Sequence, residues 1–225
     1  MKTIHELIAE LEKNPIEKGG HVYHPIPFSE FDHLNTSLIK DEFLKKANLI
    51  LEYIYKKYTC KLEDLNILDI GANGGYFTFT LSNKVASVTT FETNIRYTEI
   101  CQAIIREKNI NNVDWNHSPF YIDKLKKDKK YNVSLMLSVF QWMAEGGANL
   151  KTAFEDLNYI SQVSECLIFE LGFNSGNSAI TTNKEDHYEA LIDMLKENTV
   201  YTSFELLGTS EFWHGSKRYI VACTK

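Results

Sequence analysis

Residues 69–76 read DIGANGGY, with Gly71, Gly74 and Gly75 falling within five positions directly behind the apolar run that contains Ile67, Leu68 and Ile70. Glycine loses more backbone freedom on folding than any other residue, so a cluster at the exit of a buried strand needs a reason. Glycine permits φ > 0, and it removes side chains that would keep a ligand off the main chain. In an open α/β sheet, ligands bind outside the carboxyl ends of the strands, where the first strand's exit loop lies. The motif therefore predicts a sheet and a site together.

Downstream, strand-like and helical textures alternate. Strands are expected at 66–70, 85–92, 112–116, 133–140 and 166–171. Between them Tyr97, Ile100, Cys101, Ile104 and Ile105 recur on one helical face, and Leu150, Ala153, Phe154, Leu157 and Ile160 form a second stripe. A helix built on Tyr188, Leu191, Ile192 and Leu195 precedes strands at 203–209 and 218–224. Alternation of this kind implies crossover connections and a mostly parallel sheet with helices on both faces. The last two strands are separated by only about eight residues, too few for a crossover helix, so they should form an antiparallel hairpin at one end of the seven-stranded sheet. Residues 1–60 read as an N-terminal helical cap and 61–225 as the sheet domain. The cap holds a short helix at 4–11 and an irregular segment at 19–33. A long helix follows, capped by Thr36 or Ser37, with Leu44, Ala47, Leu51 and Ile54 on one face.

The 225 residues are 44% hydrophobic and 24% charged, the range of an ordinary globular protein. No apolar run approaches the ~18 residues that span a bilayer, and the N-terminus is an amphipathic helix without the apolar core of an export signal. A soluble cytoplasmic protein without membrane association is expected. The four cysteines are dispersed without CxxC spacing, which fits a reducing compartment and not a structural zinc site. A net charge of −6 disfavours nucleic acid as a partner, and the basic run DKLKKDKK at 123–130 reads as a solvated loop or helix end. His21, His24 and His33 lie close together in a proline-containing segment but lack the extra ligand at defined spacing that a metal site requires. That segment reads better as a lid, with Tyr23, Ile26, Phe28 and Phe31 covering a bound substrate. No metal is expected.

Two phosphate-binding loops fit the glycines poorly. The dinucleotide fingerprint G-x-G-x-x-G finds Asn73 at its second glycine and Tyr76 at its third, and no Lys-Ser or Lys-Thr follows as a P-loop demands. LDIGANGGYF at 68–77 instead resembles motif I of the class I S-adenosylmethionine-dependent methyltransferases: an apolar strand, an acidic residue, and G-x-G-x-G relaxed to G-x-N-x-G. FETN at 91–94 is similar to that family's acidic end of strand two, and SVFQWM at 138–143 to its segment after strand four. The terminal hairpin is similar to the family's, whose seventh strand lies antiparallel between strands five and six.

The resemblance, which covers roughly residues 65–225, implies a Rossmann-like fold and S-adenosylmethionine as cofactor. It implies that Asp69 contacts the methionine ammonium, that Gly71, Asn73 and Gly75 shape the loop around the aminocarboxypropyl chain and ribose, and that Glu92 accepts hydrogen bonds from both ribose hydroxyls. Ala72, Thr93 and Ser138 complete the implied cofactor set. The family's acidic residue beyond strand three has no counterpart in NHSPF at 116–120, where His117 and Ser118 stand in as adenine contacts.

Methyl transfer asks the protein to align a nucleophile, exclude water and, for a hydroxyl acceptor, remove a proton. Candidates for these tasks are Glu170 at the end of the fifth strand, Gln141 after the fourth, and His24, with His33 and His214 further afield. The expected acceptor is a small molecule or a sugar-bearing metabolite. A tRNA or protein methyltransferase is the alternative within the class. A nicotinamide-dependent oxidoreductase on the same sheet is the alternative outside it, and a protein that only binds the cofactor is a further one.

Overall fold

The NILDI run forms strand β1 (Asn66–Ile70) in a computed structural model of the chain, which describes residues 1–17, 20–125, 129–174, 178–212 and 216–225. The remaining strands are β2 (Ser87–Glu92), β3 (Val113–His117), β4 (Tyr131–Leu137), β5 (Ser164–Leu171), β6 (Ser203–Phe212) and β7 (Ser216–Thr224). Helices α1 (Ile4–Lys13), α2 (Lys40–Lys57), α3 (Tyr76–Ser82), α4 (Ile95–Glu107), α5 (Phe140–Met143), α6 (Leu150–Val163) and α7 (His187–Asn198) surround them. The seven-stranded sheet has the order β3-β2-β1-β4-β5-β7-β6. Pairing is parallel for β1 with β2, β2 with β3 and β4 with β5, and antiparallel for β7 with both β5 and β6. This is the mostly parallel sheet with a closing antiparallel hairpin that the alternation predicts.

The chain divides into two compact units. Residues 1–48 and 55–120 make the first, and residues 49–54 and 121–225 the second. In the first, Ile4, Leu7 and Leu11 of α1 join Val22, Ile26, Phe31 and Leu34 in a core with Phe79, Tyr97, Ile100 and Ile104. Ile26 and Phe31 of the expected lid are thus fully buried core residues, while Phe28 packs its ring against Phe79 at 5.2 Å. In the second, Val133, Leu135, Cys166, Ile168, Leu191, Leu195 and Val221 are buried, as apolar strands and an amphipathic helix require.

Boundaries differ from the sequence reading where local hydrogen bonds intervene. The long helix starts at Lys40, because the Lys40 N–H closes a turn on the Ser37 carbonyl at 3.0 Å before helical bonding begins. The segment at 19–33 ends in a 3₁₀ helix, Ser29–Leu34, that runs one residue past it and is set by phenylalanine and leucine burial that no simple period reveals. The hairpin is longer at its turn end than the apolar runs suggest, since Ser210 pairs with Arg218 and Glu211 with Lys217. His214 and residues 126–128 of the basic run lie outside the described residues. No helix among the described residues is long and apolar enough to cross a membrane.

Candidate functional site

The loop after β1 owes its shape to three left-handed residues, Gly71 (φ 75°), Asn73 (φ 52°) and Gly75 (φ 76°). Asparagine tolerates this region because its side chain bonds locally, and here Asn73 Oδ1 accepts the Gly74 N–H at 2.9 Å. Gly75 is under a second constraint, since an added Cβ would stand 2.5 Å from the Phe79 ring. The Gly71 and Ala72 N–H groups both donate to the Phe91 carbonyl, at 2.8 and 3.2 Å, which fastens the loop to the end of β2.

The next residue of β2 carries the fastening further. Glu92, almost buried, accepts the Asn73 backbone N–H on Oε2 and the Asn94 backbone N–H on Oε1, each at 2.7 Å. Each carboxylate oxygen has two acceptor positions, so both oxygens retain capacity for a ligand hydroxyl. Asn94 then caps α4, its Oδ1 accepting the Arg96 and Tyr97 N–H groups. Asp69, also buried, accepts the Thr78 hydroxyl at 2.6 Å. Burial, opposed by hydrogen bonds from Thr78 and aided by the nearby Glu92 charge, pushes its carboxyl up to about 6. Among the described residues neither Asp69 nor Glu92 has an ion-pair partner. Two neighbouring carboxylates drawn out of water without a cation are unfavourable, and a ligand with a positive charge and vicinal hydroxyls would relieve both.

The flank of this loop comes from the N-terminal segment and from β3. A Cβ on Gly74 would meet Ile26 Cγ1 at 3.0 Å and the His24 carbonyl at 3.5 Å, so the segment lies directly on the glycines. The Tyr23 N–H donates to the buried Tyr97 hydroxyl at 2.8 Å. The His24 ring stacks on Phe43 at 4.0 Å, and Phe43 meets Tyr76 edge-on at 5.0 Å. His117 is paired with Glu92 across β2 and β3 and places Nε2 3.0 Å from the Thr93 carbonyl, which makes Nε2 the protonated nitrogen. The Ser118 hydroxyl is buried without a partner among the described residues. His33 is exposed and pairs with Glu12.

The second unit holds a separate polar cluster. Ser138 follows β4 with φ 57°, and its hydroxyl donates to Glu170 Oε2 at 2.6 Å while accepting Arg218 Nη1 at 3.1 Å. Ser210 donates to Glu170 Oε1, also at 2.6 Å. Glu170 is fully buried. Its surroundings are those of a hydrogen-bond hub joining β4, β5, β6 and β7, not of a carboxylate facing solvent. The Gln141 amide donates to the Ser138 carbonyl at 2.7 Å.

The structure therefore brings Asp69, Gly71, Ala72, Asn73, Gly75, Glu92, Thr93, His117 and Ser118 together in the first unit, with His24 on the flank. It brings Ser138, Gln141 and Glu170 together in the second. Sequence reasoning missed Thr78, Thr90 and Asn94 around the first set and Ser210 and Arg218 around the other. The available signal was polarity within apolar stretches: Thr78 interrupts YFTFTLS, and Thr90 sits in a strand that is buried from Val88 to Glu92.

No family model matches the chain. Over 96 residues, 43% of this chain, it is 30% identical to the ubiquinone biosynthesis O-methyltransferase of Rickettsia bellii (strain OSU 85-389), a stretch that is 38% of that protein. It is 32% identical over 95 residues to the protein of the same description from Rickettsia akari (strain Hartford), covering 40% of this chain and 37% of that one. The match thus spans less than two fifths of these relatives' length. Among solved structures, the bifunctional kinase-methyltransferase WbdD superimposes with a TM-score of 0.71 at 16% identity, over 98% of this chain and 46% of that one. The N-terminal domain of EvdMO1, solved in the presence of SAH and D-fucose, superimposes with a TM-score of 0.63 at 12% identity, over 100% of this chain and 97% of that one. The chain has the Rossmann-like fold seen in these solved structures.

Proposed function

We propose that this chain is an S-adenosylmethionine-dependent methyltransferase acting on a small-molecule or sugar-containing acceptor. The observation that carries the reading is the pair of enclosed carboxylates, Asp69 and Glu92, gathered around a left-handed glycine loop. Bound S-adenosylmethionine would supply an electrophilic methyl group on a sulfonium. Asp69 would hold the ammonium, Glu92 the ribose hydroxyls, and His117 and Ser118 the adenine. Ile26 and the His24 backbone, seated on Gly74, would keep water from the loop.

The acceptor class rests on the curated relatives, which are O-methyltransferases, and on the sugar present with EvdMO1. Gln141, Glu170 and His24 remain the candidates for orienting the acceptor, with Glu170 acting from within its hydrogen-bond hub. A cytoplasmic setting suits cysteines that form no disulfide among the described residues. The test is thermal stabilisation by two ligands. S-adenosylhomocysteine should raise the melting temperature and NAD should not, and the reverse result would discard the methyltransferase reading in favour of an oxidoreductase.

A further inference from the structure

The Thr78 hydroxyl, fully buried on α3, lies 2.6 Å from Asp69 Oδ2, and the Thr90 hydroxyl, fully buried on β2, lies 3.2 Å from Thr78 Oγ1. A hydroxyl has one hydrogen to give, and an ionised carboxylate has none. Thr78 must therefore donate to Asp69, which leaves Thr90 to donate to Thr78. The chain of hydrogen bonds has a direction, from Thr90 through Thr78 to Asp69. Hydrogen bonds to a charged acceptor are roughly twice as strong as neutral ones, so this arrangement favours the charged carboxylate over the neutral acid. It acts against burial and against the nearby Glu92.

We propose, building on the methyltransferase reading, that Thr78 is a positioning residue for the cofactor: supported by Thr90, its hydroxyl holds one oxygen of Asp69 and orients the carboxylate toward the ammonium group of S-adenosylmethionine. Thr78 itself touches no ligand. Its influence passes through Asp69, which distinguishes it from a residue that merely fills the core. The titratable groups that face Asp69 are Glu92 at the end of β2 and Cys101 on α4. Removing the Thr78 hydroxyl leaves them in place and deletes the larger of the two Thr78 hydrogen bonds that oppose them, the backbone one remaining.

Calorimetric titration with S-adenosylhomocysteine across about pH 5 to 8 tests this, with Thr78→Val, Thr78→Ser and Thr90→Val compared with the unaltered chain. The unaltered chain should lose affinity as the pH falls through about 6, where Asp69 takes up a proton. Thr78→Val should bind roughly tenfold more weakly near neutrality, the lower end of what a hydrogen bond to a charged group contributes, and its loss of affinity should begin at higher pH. Thr78→Ser, which keeps the hydroxyl, should restore both affinity and profile. Thr90→Val should shift the profile the same way by less. A folded Thr78→Val that binds like the unaltered chain, with the same pH profile, overturns the inference. Should Thr78→Val fail to fold, an unshifted profile for Thr90→Val does so instead. An unaltered chain that does not bind S-adenosylhomocysteine at any pH is a different outcome, because it removes the methyltransferase reading on which the role of Thr78 depends.

Discussion

The backbone N–H of Asn73 lies 2.7 Å from Glu92 Oε2, so the residue whose left-handed conformation shapes the glycine loop is held by the carboxylate assigned to the ribose. Glu92 thereby has two functions, organising the loop and offering acceptors to the ligand. Glu92→Ala should weaken S-adenosylhomocysteine binding by roughly 1.5 to 3 kcal/mol, the range for hydrogen bonds to a charged group. Glu92→Gln should be little better, because its amide would turn N–H groups toward the N–H of Asn73 or Asn94. Calorimetry that finds unchanged affinity in Glu92→Ala takes Glu92 out of the site.

Asp69 makes a prediction of opposite sign for stability and for binding. Its carboxyl is raised from an ordinary 3.8 to about 6. Between those values the folded chain holds a proton that the unfolded chain has released, so the associated stability is complete below the lower value and is lost as the pH rises through the upper one. The ligand-free protein should melt higher near pH 5 than near pH 7.5. Asp156 on α6, raised to about 6 by burial and the Glu155 charge, contributes in the same direction, so Asp156→Asn is the control. Asp69→Asn should stabilise the ligand-free chain at neutral pH by roughly 1 to 3 kcal/mol, with a flatter pH dependence, while weakening cofactor binding. If Asp69→Asn melts lower than the unaltered chain at neutral pH, the buried charge is not the strain described here.

Gly75 and Gly74 separate two kinds of constraint on the same loop. At Gly75, φ is 76° and a Cβ would overlap the Phe79 ring at 2.5 Å. Gly75→Ala should therefore cost roughly 1 to 3 kcal/mol in urea unfolding, for backbone strain and overpacking together. Gly74→Ala meets the Ile26 side chain at 3.0 Å, which can move, and the His24 carbonyl at an ordinary contact distance of 3.5 Å. It should perturb the seating of the N-terminal segment with a smaller loss of stability. Equal losses for the two variants would contradict the distinction.

The loop and Glu92 were legible because their chemistry is local: glycines, an asparagine that tolerates φ > 0, and an acidic residue closing the next strand. The sheet was legible from alternating periods, and the hairpin from a connection too short to cross over. Thr78 and Thr90 were not, because a hydroxyl becomes informative only when the fold sets it 2.6 or 3.2 Å from its partner. The burial of Ile26 and Phe31 was also hidden, since residues 20–34 follow no repeating period and their inward faces depend on α1, α3 and α4. Glu170 was placed correctly at the end of β5, but sequence could not supply Ser210 from β6, 40 positions away along the chain.

Glu170 is where those distant partners change the expected chemistry. A general base must reach the acceptor's proton, whereas Glu170 is fully buried with a hydroxyl on each oxygen. Glu170→Ala would leave the Ser138 and Ser210 hydroxyls without their acceptor and should cost roughly 2 to 6 kcal/mol, at about 1 to 3 for each buried group left unsatisfied. Glu170→Gln keeps one carbonyl acceptor, and the other hydroxyl can rotate to accept from the new amide, so its loss should be clearly smaller. Turnover of catechol, used as a hydroxyl-bearing acceptor probe, separates the two roles. A hub requires Glu170→Gln to retain turnover in step with its stability. A base requires turnover to collapse in Glu170→Gln while the fold and S-adenosylhomocysteine binding persist, and that result would assign Glu170 a catalytic role.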